Sequence, residues 1–168
     1  MLRVAEGGFR APGSSEPFSR TVLLCDAAEV LASALTVAFV PSTDLDRSRR
    51  FYEEVLGLSV AQQDPFAIVL DTGRVTIRVT NVGHEFNVQP FTVLGWEVDD
   101  IEAGVASLVE RGVVFLRVGT MEQDEAGVWA APDGSRIAWF KDPDGNTLSL
   151  SQQTHRIAAA TQPELLDR

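Results

Sequence analysis

The chain is poor in the residues that build disulfides and metal sites, with one cysteine and two histidines among 168 residues. A single Cys25 excludes an intrachain disulfide. With no identifiable base beside it, it reads as a small apolar filler rather than a nucleophile. Positive charge is also scarce: 14 Lys and Arg face 24 Asp and Glu, a formal charge of -10. That balance opposes a nucleic-acid partner or an anionic membrane surface, both of which recruit a surplus of cations. The most apolar stretch, residues 22–40, is broken by Asp26 and Glu29. It therefore fails as a transmembrane span, and it lies too far in for a secretory signal. No membrane partner and a cytoplasmic location are the expectations. A Gly-rich phosphate loop, a zinc-binding cysteine pair and a serine elbow are all missing.

What is present is 45% hydrophobic residues, enough for one substantial core. Residues 1–34 read as an N-terminal extension, flexible through Gly7-Gly8 and the proline-broken run 11–17, with strand or helix character only at 22–34. Order begins at Leu35. A β-rich segment at 35–40 ends at Pro41, and Ser42, Thr43 and Asp44 offer caps for a helix over 44–56. Leu45, Ser48, Phe51, Tyr52, Val55 and Leu56 recur at helical spacing, and Gly57 ends the run. Strands are expected at 58–62, 66–70 and 75–80, the last alternating Val75, Ile77 and Val79 with Thr76, Arg78 and Thr80.

The same order then repeats. A strand over 91–98 precedes a helix over 100–111, with Asp99 as the cap and Glu102 completing a capping box. Strands follow at 113–118, 128–131, 135–140 and 147–151, and residues 153–168 form a C-terminal tail. Asp44-Leu45 echoes Asp100-Ile101, and Gly57 echoes Gly112, so two similar halves, about 35–80 and 91–152, make up a domain at 35–152.

Three phrases carry a family resemblance. Thr43-Asp44-Leu45-Asp46-Arg47-Ser48-Arg49-Arg50-Phe51-Tyr52, with Val55-Leu56-Gly57-Leu58 after it, is similar to the first-module signature of the glyoxalase, bleomycin-resistance and extradiol-dioxygenase (vicinal oxygen chelate) superfamily. Trp96-Glu97-Val98-Asp99-Asp100-Ile101 resembles the opening of the second module, and Phe140-Lys141-Asp142-Pro143-Asp144-Gly145-Asn146-Thr147-Leu148 resembles its ending. The resemblance implies an α+β fold of paired βαβββ modules forming a cupped mixed sheet around a small-molecule cavity, generally in a homodimer that closes in cis or between subunits. It also implies metal-ligand places on four strands. Three fall at Val37, Val93 and Ser149, and the fourth lies among Thr76, Arg78 and Thr80. Two valines and a serine do not hold a divalent cation, so no metal and no cofactor are expected. His84, in the connection between the halves, and His155, in the tail, read as surface residues.

If Val37, Val93 and Ser149 face the cavity, alternation along the strands adds Phe39, Gly95, Glu97, Thr147 and Ser151. Ligand-binding candidates are then Phe39, Thr76, Arg78, Glu97, Trp139 and Ser149, with Arg78 as the polar anchor and Trp129 beside Trp139 as a stacking surface. The catalytic residues stay unassigned. The expected function is binding of an unidentified small organic molecule without the usual metal. The alternatives are a glyoxalase-like lyase or isomerase using polar cavity residues, and a protein-interaction role.

Overall fold

The computed structural model describes residues 34–154. Cys25, His155, the strand-or-helix expectation for 22–34 and most of the C-terminal tail lie outside the described residues. Among the described residues, eight strands and two helices follow one another in the order βαβββ, twice. The first module comprises β1 (Val37–Ser42), α1 (Leu45–Arg50), β2 (Ser59–Gln63), β3 (Ala67–Asp71) and β4 (Thr76–Asn81). The second comprises β5 (Thr92–Glu97), α2 (Ile101–Glu110), β6 (Trp129–Ala130), β7 (Arg136–Lys141) and β8 (Thr147–Gln152). Each module is a four-stranded sheet, ordered β1-β4-β3-β2 and β5-β8-β7-β6. β1 runs parallel to β4 and β5 parallel to β8, while the remaining pairs are antiparallel. These are the mixed, cupped βαβββ sheets that the three sequence phrases imply.

Local chemistry explains most of the boundaries. Asp44 caps α1 by accepting from Arg47 N at 3.0 Å, and Asp100 caps α2 by accepting from Ala103 N at 2.9 Å. The second cap is thus Asp100 rather than Asp99, one residue later than the capping-box pattern predicts. Gly57 and Gly112 follow the two helices at φ of 74° and 87°, where a side chain would be strained. Two strand expectations change. Residues 113–118 do not form a strand; a lone bridge from Phe115 to Phe140 replaces it. Residues 128–131 shrink to Trp129–Ala130. Both segments border the loop over 117–127, whose backbone is held instead by Gln123 and Asp124.

The first helix does not run straight to residue 56. After Arg50 it widens into a π-helical turn, Phe51–Val55, with Leu56 N donating to Phe51 O at 3.0 Å. Within this wider turn Tyr52 is fully buried, its ring edge-on to Phe51 with centroids 5.3 Å apart.

One face of each sheet is packed and the other is open. Val40, Ile68, Leu70, Ile77 and Val79 form the packed face of the first sheet against Leu45 and Tyr52. Ala138, Phe140, Leu148 and Leu150 do the same in the second sheet against Ile101 and Val105. All belong to one continuous core, so the modules share their hydrophobic interior. No helix among the described residues is long and apolar enough to cross a membrane.

Candidate functional site

The open faces are where the sheets present side chains that the core does not use. Strand register fixes who stands beside whom, because paired residues share a face. On the first sheet, Arg78 of the inner strand β4 lies opposite Phe39 of β1 and Val69 of β3, with Gln62 beyond Val69. One row along stand Val37, Thr76 and Asp71; on the other side stand Pro41, Thr80 and Ala67. Val37 and Phe39 are exposed, Phe39 to 63%. Between the strands, Leu35, Ala61, Val69, Asp71, Gly73, Arg74, Val75 and Thr76 line a recess of about 360 Å³.

On the second sheet, Ser149 of the inner strand β8 lies between Gly95 and Trp139, and Ser151 between Glu97 and Ile137. Trp129 pairs with Ile137, so its ring reaches Trp139, tilted by 32° with centroids 6.1 Å apart. Trp139 Nε1 donates to Thr92 Oγ1 at 3.1 Å.

The candidates of the sequence stand as follows. Phe39, Thr76 and Arg78 share one open face, and Trp139 and Ser149 share the other. Ser149 is nearly covered, at 8% exposure, because a β-carbon on Gly95 would collide with its Oγ; the glycine lets the strand close over it. Glu97 is exposed and makes no ion pair with Arg78. It borders a second recess of about 300 Å³, shared with Leu56, Leu58, Trp96, Leu108 and Leu150. Val93 departs from the simple alternation. A bulge between Thr92 and Leu94 makes it the extra residue; it packs against the core, while Thr92 takes the place opposite Thr147.

A divalent cation does not fit this donor set. The resemblance puts the first-strand place at Val37, the last at Ser149 and the middle one at Val93, which here is the bulged residue next to Thr92. Whichever of Thr76, Arg78 and Thr80 holds the fourth place, it is a hydroxyl or a cation, and none supplies imidazole or carboxylate. Among the described residues no group of three or more His, Cys, Asp or Glu converges.

The polar cluster that sequence reasoning missed lies at the seam between the modules. The β7–β8 turn sends Asp144 into the N-terminus of α1, where it accepts from Thr43 N at 3.0 Å, Ser48 Oγ at 3.1 Å and Arg47 Nη2 at 2.7 Å. Burial alone would raise its pKa. The hydrogen bonds from Thr43, Ser42 and Ser48 outweigh that cost and hold the carboxyl below its ordinary value. Two residues earlier, Asp142 accepts from Tyr52 Oη at 2.9 Å and from Asn146 Nδ2 at 2.7 Å. Asn146 Nδ2 also donates to Pro41 O at 2.8 Å. Burial pushes the pKa of Asp142 up against these donors, and burial followed by the Asp142 charge raises that of Tyr52. The cluster ties β1 and α1 to the β7–β8 turn of the second sheet. Its one legible signal was the phrase 142–146, in which two aspartates flank a proline.

The sequence profile of the Glyoxalase/Bleomycin resistance protein/Dioxygenase superfamily matches residues 34–150. A search of curated proteins finds no match. Among solved structures, a putative glyoxalase family protein from Bacillus anthracis is 18% identical, with a TM-score of 0.56 over 71% of this chain and 94% of that one. Lactoylglutathione lyase from Agrobacterium tumefaciens is 19% identical, with a TM-score of 0.54 over 71% and 93%. TnmS3, an antibiotic binding protein from Streptomyces sp. CB03234, is 23% identical, with a TM-score of 0.56 over 73% and 97%.

Proposed function

Because the chain belongs to the glyoxalase, bleomycin-resistance and dioxygenase superfamily, we propose that its open sheet faces bind a small organic molecule without a metal ion. The observation that carries this reading is the chemistry of the strand positions. Val37, Val93 and Ser149 occupy the places at which the resemblance expects imidazole or carboxylate ligands. The fold alone does not choose, since it serves both a lyase and an antibiotic binding protein among the similar structures. The residues favour binding. Aromatic rings at Phe39, Trp129 and Trp139, a few hydroxyls and one guanidinium are the mixed lining that small organic ligands meet.

A homodimer belongs to the same reading. Among the described strands, β1 and β5 each end a sheet, and the exposed apolar residues Leu35, Val37 and Phe91 lie on or beside those edges. Sedimentation equilibrium should give twice the chain mass; a monomer mass at every concentration rejects the dimer.

The Trp129–Trp139 pair supplies the readout for binding. Titration of a panel of conjugated small molecules should quench tryptophan emission with at least one saturable member, unchanged by EDTA and weakened by Trp139→Ala. Binding that EDTA abolishes, or the absence of any saturable member, overturns the reading.

A further inference from the structure

Three described arginines are half-buried: Arg47, Arg78 and Arg136. Arg47 is paired with Asp144, and Arg136 with Glu102 and Asp124. The Arg78 side chain has no ion pair or hydrogen bond to any described residue, although the chain carries a charge of -10. Its direct neighbours on the open face are apolar, Phe39 on one side and Val69 on the other. The nearest carboxylate by register is Asp71, one row along and opposite Thr76, and its Oδ1 is already taken by Gly73 N at 2.7 Å. A guanidinium held partly out of water without an anion carries a desolvation cost that no described side chain offsets. Its planar fork matches a carboxylate in two parallel hydrogen bonds.

The neighbours define the rest of the ligand. Phe39 lies directly across from Arg78 and exposes most of its surface, a flat apolar wall within one strand spacing of the cation. A recess of about 360 Å³, lined by Val69, the register neighbour of Arg78, and by Thr76, Asp71 and the exposed Arg74, which pairs with no described residue, opens on the same sheet. That volume suits a mono- or bicyclic molecule.

Resting on the binding reading above, we propose that the open face of the first module takes an aromatic carboxylate, its acid group on Arg78 and its ring against Phe39 and Val69.

The probe is 2-naphthoate, compared with its uncharged near-isostere 2-naphthamide by calorimetric titration at neutral pH. Wild-type protein should bind the acid at least tenfold more tightly than the amide. Arg78→Gln should erase that preference, Arg78→Lys should keep part of it, and Arg50→Gln, at an exposed arginine of α1, should leave it unchanged. Thermal melts of every variant separate loss of binding from loss of fold, and Arg78→Lys keeps the test decisive should the glutamine variant melt early. Equal affinity for acid and amide, a preference that survives Arg78→Gln, or no binding of either probe each overturns the proposal. If acid and amide bind equally and Phe39→Ala weakens both, the carboxylate assignment falls while small-molecule binding stands. The tryptophan-quenching panel judges small-molecule binding separately.

Discussion

Tyr52 Oη and Asp142 Oδ2 lie 2.9 Å apart, a buried hydrogen bond between residues 90 positions apart that joins the π-helical turn of one module to the β7–β8 turn of the other. The wider turn brings the phenol to this place. Its hydroxyl also helps offset the burial of a carboxylate that desolvation otherwise disfavours.

Removing that hydroxyl should therefore loosen the seam. Tyr52→Phe is expected to cost about 1–3 kcal/mol of unfolding free energy, the usual penalty for a buried group deprived of a partner. Asp142→Asn should cost more, because an amide turns an N–H₂ group toward donors that now meet a carboxylate oxygen. Urea unfolding measures both. A Tyr52→Phe variant as stable as the wild type would show that the bond does not hold the modules together.

The two aspartates of that turn should bend the pH profile of stability in opposite directions. Asp144 is held below its ordinary pKa, so its contribution is complete above the unfolded carboxylate value of about 3.9 and fades as pH falls through its lower folded value. Asp142 is raised, so the folded state binds more protons between the ordinary value and the folded one, and stability falls as pH rises across that window. Asp144→Asn should flatten the acid limb, and Asp142→Asn the limb above it. Unfolding free energies measured from acid to neutral pH check this; identical slopes in wild type and Asp144→Asn would contradict it.

The approach of β5 to β8 is set by a missing side chain. A β-carbon at Gly95 would strike Ser149 Oγ, so Gly95→Ala should destabilise by about 1–3 kcal/mol through overpacking. In a Ser149→Ala background the obstacle is gone, and the same change should cost clearly less. Strict additivity in this double-mutant cycle would mean that the two residues do not share the space.

The modules were readable because their signals are local. Asp44 and Gly57 bracket one helix, Gly112 closes the other, whose cap the capping-box pattern set one residue early at Asp99, and the Val75–Thr80 alternation marks a strand whose Ile77 and Val79 enter the core. The open face around Arg78 followed from the same alternation. Phe39 was placed on the cavity side from Val37, but that it and Val69 flank Arg78 was not legible, because pairing between strands depends on register that no single strand encodes. Val93 escaped for a related reason, since a bulge adds one residue and ends the strict alternation that placed it. The strand expected at 113–118 rested on β-rich composition alone, and the loop that follows satisfies that backbone by other means. The seam was barely legible because Asp142 and Asp144 sit in a turn, where aspartate is ordinary; only the arrival of Tyr52 and Thr43 from the other module gives them a second role.

The central claim is that the open faces bind an organic ligand with side chains alone, and one sample can decide it. Protein dialysed exhaustively against EDTA, then against chelator-free buffer, should contain far less than one divalent metal ion per chain by elemental analysis. Titrated with 2-naphthoate, that sample should bind as tightly as undialysed protein. A stoichiometric metal that survives dialysis, or naphthoate binding that disappears with EDTA and returns with added zinc, nickel or manganese, would contradict the account.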